Sequence, residues 1–104
     1  MSDFVPVAKV AEISDPGRKT VELDDRFVVV IHAAGAFYAI DDVCTHDGGP
    51  LGEGILEGFT IACPRHGAKF DVRDGRALTM PAIMPTRVHE VKVVGDDVLV
   101  KLVD

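Results

Sequence analysis

The sequence predicts an all-β fold, a small antiparallel sandwich or barrel. Short runs of β-branched residues alternate with turn residues along most of the chain. No long stretch repeats its apolar residues with the 3.6-residue period of an amphipathic helix. The 104 residues fit a single domain, and a hydrophobic content of 47% is enough for a packed core. We therefore expect one domain over residues 1–104.

Eight segments have the composition of strands. The predicted strands are 4–10, 19–23, 26–32, 36–40, 59–62, 69–73, 88–94 and 98–103. The continuous apolar run at 27–31 predicts a strand that is covered on both faces. Asp74-Gly75 predicts a tight turn between two strands. The stretch 41–58 is rich in Gly, Asp and Pro, and it predicts one long loop of the kind that usually carries function.

The charge balance narrows the function classes. The chain has 11 basic and 17 acidic residues, a net charge of -6, which repels phosphates and disfavours nucleic-acid binding. It favours protein partners with a basic docking face. No apolar run approaches the roughly 20 residues that span a bilayer. The first residues do not form a secretory signal, so we expect a soluble cytoplasmic protein.

Two short segments each combine a cysteine with a histidine. They are Cys44-Thr45-His46 and Cys63-Pro64-Arg65-His66-Gly67. Thiolate and imidazole are both common metal ligands. Residues 47–62 leave room for a hairpin that brings the two segments face to face, and a glycine after His66 relieves crowding of the backbone. Cys44, His46, Cys63 and His66 are therefore the candidate ligands.

Four kinds of site use these residues. A structural zinc site matches the ligand types, but zinc fingers usually pair Cys with Cys and His with His, whereas each segment here is mixed. A Cys44–Cys63 disulfide leaves both histidines without a role. A cysteine nucleophile with a histidine base explains only one pair. A [2Fe–2S] cluster with two Cys on one iron and two His on the other uses all four.

The sequence resembles the Rieske family at these segments and beyond them. The resemblance runs from Cys44-Thr45-His46 through Gly48-Gly49-Pro50-Leu51, Cys63-Pro64-Arg65-His66-Gly67, Phe70-Asp71 and Asp74-Gly75 to Pro81-Ala82. In that family a proline-containing third loop covers the cluster. The resemblance implies a cluster-binding subdomain at about 43–82, inserted between base sheets formed by 1–42 and 83–104.

By length, the chain is most similar to the Rieske-type ferredoxins of aromatic-ring-hydroxylating dioxygenase systems. This implies one [2Fe–2S] cluster per chain, with Cys44 and Cys63 on the inner iron and His46 and His66 on the outer iron. The implied role is a monomeric electron carrier between a flavin-dependent reductase and a terminal oxygenase. We do not expect an enzyme. A catalytic oxygenase subunit also needs a mononuclear iron site, typically of two His and a carboxylate; only His32 and His89 remain after the cluster ligands, and the chain is too short for a catalytic domain. The alternatives are the small subunit of another oxidoreductase, such as nitrite reductase, and a zinc-stabilised interaction module.

The chain departs from one branch of the Rieske family at four positions. Rieske proteins of quinol-oxidising complexes have two more cysteines where this chain has Gly49 and Arg65, so their extra disulfide is impossible here. They also have a serine and a tyrosine near the cluster sulfurs, where this chain has Ala68 and Phe70. Hydrogen bonds to sulfur favour the reduced cluster. Without these donors we expect a potential around -150 mV.

The remaining polar residues have weaker assignments. Four lie near the histidine edge by this resemblance, where they either shape partner choice or are solvated loop residues: Asp47, Pro50, Arg65 and Lys69. His89 shares a strand face with Val91 and Val93, which predicts a structural, partly buried histidine. His32 ends a predicted strand, and we expect it at the surface.

Overall fold

The computed structural model describes residues 4–42, 51–64, 67–78 and 86–103. Within these residues the chain forms two antiparallel sheets. The strands are β1 Val5–Lys9, β2 Gly17–Leu23, β3 Arg26–Ala33, β4 Ala36–Asp41, β5 Ile55–Glu57, β6 Thr60–Ala62, β7 Lys69–Asp71, β8 Val88–Val94 and β9 Asp97–Lys101. The larger sheet has the order β1-β9-β8-β4-β3-β2 and is nearly closed, like a barrel, and the smaller has the order β5-β6-β7. The all-β prediction is confirmed.

Strand β3 is covered on both faces, as its apolar run predicts. Val28 and Val30 lie in a core with residues of β4 and β9, inside the large sheet. Val29 and Ile31 lie on the opposite face, in a second core that the large sheet shares with the small one. The buried residues of this shared core are Val29, Ile31, Ala33, Ile40, Leu51, Ile61, Cys63, Ala68, Phe70 and Val72. The small sheet is therefore held in place by side chains that alternate along β3.

The prediction of a single long loop at 41–58 is wrong for the second half of that stretch. A 3₁₀ turn at Leu51–Glu53 and strand β5 lie there. Gly54 explains the difference, because a Cβ built on it would overlap the carbonyl oxygen of Ala62. The glycine allows β5 to begin directly against the end of β6. Gly54 is one of the residues that predicted a loop, but in the structure it permits close packing between two strands.

Two other predictions need smaller corrections. The turn at Asp74-Gly75 is present, and the Gly75 N–H donates to the Asp71 carbonyl at 2.7 Å. In place of a full strand after it, a single bridge joins Phe70 and Ala77. The last hairpin is confirmed, although β9 ends at Lys101.

The predictions for His32 and His89, the two histidines outside the candidate ligand set, have different outcomes. The His89 side chain is fully buried; its Nε2–H donates to Asp41 Oδ1 at 2.6 Å, and its Nδ1 accepts from the Val103 N–H at 3.0 Å. The structural role predicted for His89 is confirmed, although its side chain is fully buried where partial burial was predicted. The surface position predicted for His32 is wrong, because its side chain is only 15% exposed. Phe37 lies opposite it on β4, and the two rings stack with centroids 4.0 Å apart.

Candidate metal centre

Cys63 is the candidate ligand that the described residues include. It follows the last residue of β6, is 2% exposed and lies in the shared core with Ala68 and Phe70. Its N–H donates to the Ala68 carbonyl at 2.7 Å, and its carbonyl accepts from the Gly67 N–H at 3.0 Å. Gly67 has a φ of +74°, a conformation that other residues rarely adopt. These two bonds close the loop between β6 and β7, which in sequence contains His66.

The other three candidate ligands, Cys44, His46 and His66, lie outside the described residues. So do several residues on which the resemblance depends, namely Asp47, Gly49, Pro50, Arg65 and Pro81-Ala82. The structure does describe the residues at both ends of each of these segments. Those flanking residues show where on the fold each segment begins and ends.

The described residues on either side of 43–50 lie close together beside the large sheet. The Asp42 carboxylate accepts from the Gly52 N–H at 2.6 Å, so a hydrogen bond joins residues that flank this segment. Arg18 donates from Nε to the Gly52 carbonyl at 2.6 Å. A Cβ built on Gly52 would overlap Thr20 Oγ1, which indicates close packing on β2. Asp42 and Gly52, which flank the segment with Cys44 and His46 in the sequence, are therefore held together and packed against β2.

Residues 51–54 lead from this point to β5, an edge strand of the small sheet. The Gly54 N–H donates to the Leu51 carbonyl at 2.9 Å. Gly54 lies against Ala62, which precedes Cys63 in the chain. Gly54 and Cys63 therefore lie at the same end of the small sheet.

The residues that flank 79–85 are both hydrogen-bonded to the small sheet or its turn. The Leu78 N–H donates to the carbonyl of Lys69, the first residue of β7, at 2.7 Å. At the other end, the Thr86 N–H donates to the Gly75 carbonyl at 2.8 Å. Gly75 is buried, and a Cβ there would overlap the Thr86 carbonyl oxygen. Leu78 therefore lies at the Cys63 end of the small sheet, whereas Thr86 lies at the turn that follows β7 at the opposite end.

An ion pair between the buried Asp71 and the half-exposed Arg73 supports the turn that holds residue 86. The Asp71 carboxylate binds Arg73 Nη2 at 2.7 Å and also accepts from the Arg73 backbone N–H at 2.9 Å. The hydrogen bond from Arg73 lowers the pKa of Asp71, although burial opposes this effect. The Arg73 guanidinium stacks on the ring of Phe59 at 4.2 Å. The sequence interpretation missed this pairing; opposite charges two residues apart before Asp74-Gly75 were the available signal.

Cys63, the described candidate ligand, fits a Rieske cluster. A thiolate buried among apolar side chains needs a compensating positive charge, which iron would supply. Cys63 is at the boundary between the shared core and the loop that contains His66. Two thiolates and two neutral imidazoles are the donor set that such a cluster takes.

Comparison with known proteins decides the family. Residues 3–94 match the Rieske [2Fe-2S] domain. The chain belongs to the Rieske family. It is 45% identical over 75 residues to the ferredoxin component of biphenyl 2,3-dioxygenase from Rhodococcus jostii (strain RHA1), covering 72% of this chain and 70% of that protein.

Comparison with solved structures leads to the same family. The ferredoxin of carbazole 1,9a-dioxygenase from Nocardioides aromaticivorans IC177 superposes with a TM-score of 0.91 at 31% identity, covering 95% of this chain and 97% of that one. A complex of reduced oxygenase and oxidized ferredoxin in carbazole 1,9a-dioxygenase contains a chain with a TM-score of 0.89 at 32% identity. That match covers 93% of this chain and 91% of the other.

Family membership settles the cofactor. This Rieske protein holds a Rieske-type [2Fe–2S] cluster, so the zinc, disulfide and nucleophile interpretations are set aside. Its relatives are ferredoxin components, and the chain is accordingly an electron-transfer protein and not a catalytic enzyme. Within the described part of the chain, no helix is long and apolar enough to cross a membrane.

Proposed function

We propose that this Rieske ferredoxin takes single electrons from a flavin-dependent reductase and passes them to the terminal oxygenase of an aromatic-ring-hydroxylating dioxygenase system. The observation that carries the proposal is the likeness, over more than nine-tenths of both chains, to a ferredoxin that was solved in complex with its oxygenase. We further propose that the protein works in the cytoplasm as a monomer, as a diffusing carrier does.

We also propose that Cys44 and Cys63 hold the inner iron and that His46 and His66 hold the outer iron. The burial of Cys63 in the shared core supports an inner position for its iron. Once bound, the cluster accepts and releases one electron, and its neutral imidazole ligands favour reduction relative to an all-cysteine cluster.

Replacing each ligand tests this set. Cys44→Ser, His46→Ala, Cys63→Ser and His66→Ala should each remove the red-brown colour and the electron paramagnetic resonance signal of the reduced cluster. His32→Gln is the matched control, because His32 is a histidine outside the proposed set, and it should keep a full complement of iron. Full iron content and an unchanged signal in any of the four variants would remove that residue from the set.

The proposed potential is low, around -150 mV. Ala68 and Phe70 are fully buried and have no hydroxyl group to donate to a cluster sulfur. Ala68→Ser should raise the potential by roughly 60–130 mV, because one hydrogen bond to a charged group is worth about 1.5–3 kcal/mol and 59 mV corresponds to about 1.4 kcal/mol for one electron. Redox titration of both proteins measures this. A wild-type potential well above zero would contradict the proposal.

Reconstituted turnover tests the role itself. The purified chain is mixed with candidate flavin reductases and with oxygenase components, including those of biphenyl 2,3-dioxygenase and carbazole 1,9a-dioxygenase. Product formation should require the chain, and Cys63→Ser should not replace it. If no oxygenase accepts electrons and a nitrite reductase does, the alternative partner is correct.

A further inference from the structure

A row of side chains crosses the outer face of the small sheet at the end next to Cys63. Ile55 pairs with Ala62, and Ala62 pairs with Lys69. Leu78 follows, because its N–H donates to the Lys69 carbonyl. Residues directly opposite each other in antiparallel strands project to the same face. We refer to Ile55, Ala62, Lys69 and Leu78 as the outer row.

The outer row is turned away from the core. The neighbouring row along the same strands contains Leu56, Ile61, Phe70 and Ala77, and it packs into the shared core. Alternation along each strand therefore directs the outer row to solvent.

The outer row is apolar at both ends and exposed. Ile55 is 69% exposed, the highest fraction among the large apolar side chains that the structure describes, and Leu78 is 41% exposed. Three strand spacings separate them, a length of about 14 Å. Between them, the alkyl part of Lys69 continues the apolar surface. Single exposed apolar residues are common, but this alignment makes a continuous strip at the Cys63 end of the small sheet.

Acidic residues border the strip near Ile55. Glu57 lies two residues further along β5 on the same face, and Glu53 precedes the strand; both are exposed. The chain as a whole carries a net charge of -6. A complementary surface therefore has an apolar centre and basic residues on the side that meets these carboxylates.

We propose that the outer row is a docking surface for the terminal oxygenase, which presents an apolar patch with lysine or arginine residues opposite Glu53 and Glu57. This inference rests on the proposed function. The outer row includes Ala62, the residue before Cys63, so a protein that approaches the cluster closely enough to take an electron from this side covers the row. Transient complexes bury little surface, and a few apolar anchors carry most of their affinity.

Matched variants test the apolar part of the outer row. Ile55→Ser removes its most exposed side chain. Val94→Ser is the control, because Val94 is a valine that is 56% exposed on β8 of the large sheet. Both variants should keep wild-type iron content, resonance signal and rate of reduction by dithionite, which establishes that the cluster is intact.

Electron transfer is then followed by stopped-flow absorption, using an oxygenase that wild-type protein reduces. Ile55→Ser should lower the second-order rate constant by about fivefold or more, as expected for an interface anchor, and Val94→Ser should leave it within about 1.5-fold. Glu57→Lys should lower it as well, by a factor that shrinks as salt is added.

The outcomes are distinguishable. An Ile55→Ser variant that reduces the oxygenase as fast as wild type overturns the docking proposal and leaves the proposed function intact. The docking proposal is also overturned if Ile55→Ser slows only electron transfer from the reductase, since the outer row then binds the reductase and not the oxygenase. If wild-type protein reduces no oxygenase at all, the proposed function fails and the docking proposal fails with it.

Discussion

Phe70 is the largest of the fully buried side chains in the described structure, and its replacement tests how the core supports the metal centre. Phe70→Ala leaves a cavity in the core that also contains Cys63 and Ala68. Because Phe70 is 0% exposed, the full penalty for a buried phenylalanine applies, about 3–5 kcal/mol. Domains of this size have a free energy of unfolding of about 5–15 kcal/mol, so the variant should be close to the limit of stability. The expected fall in Tm is roughly 15–30 °C.

Thermal unfolding followed by circular dichroism and by the visible absorption of the cluster measures the effect. Phe27→Ala is the matched control, because Phe27 is 56% exposed, and its Tm should change by no more than about 4 °C. Phe70→Leu keeps most of the side-chain volume, so its Tm should lie between those of Phe70→Ala and Phe27→Ala. This variant provides the test if Phe70→Ala does not fold. Cluster loss should accompany unfolding at the lower temperature. The reasoning is refuted if Phe70→Ala and Phe27→Ala unfold within a few degrees of each other.

Two further predictions concern the supports of the site. Gly54→Ala should lower the iron content per chain, because the new Cβ would overlap the Ala62 carbonyl oxygen. Gly58→Ala is the control: Gly58 has a φ of +58° and open space around it, so the substitution should cost only about 1–2 kcal/mol of stability and keep the iron. Equal iron contents in the two variants would count against close packing as the cause. The pKa of Asp71 is lowered by its hydrogen bond from Arg73, so this stabilisation is full above the unfolded-state pKa of about 3.9 and is lost as the pH falls through the folded-state pKa. Asp71→Asn should therefore lower Tm at pH 7, and its difference from wild type should narrow in acid; a difference that does not change with pH would contradict this.

Local patterns in the sequence were sufficient to predict most strands and to identify the kind of metal centre. The apolar run in β3 predicts burial on both faces because a strand alternates its side chains between two faces, and here both faces carry apolar residues. The placement of His89 among apolar neighbours on β8 follows from the same alternation. The spacing of the cysteines and histidines resembles one family because few sites use two of each in mixed pairs.

Contacts between distant residues could not be predicted in this way. Strand β5 has three residues, too few for a periodic signal, and it exists because Gly54 lets it pair with β6. His32 is covered because register places Phe37 opposite it. The bond between Asp42 and the Gly52 N–H joins residues whose sequence contains no sign of the pairing.

By itself, the sequence determined that this protein is all-β and that it belongs with the Rieske proteins, since strand alternation and ligand spacing are properties of short segments. Only the tertiary structure decided that Gly54 and Leu78 lie at the Cys63 end of the small sheet and that Ile55 and Leu78 lie in one exposed row beside Cys63. The physical reason is strand register. A shift of one residue would turn the outer row into the core, and register is set by glycine contacts and side-chain packing between strands that are far apart in the chain.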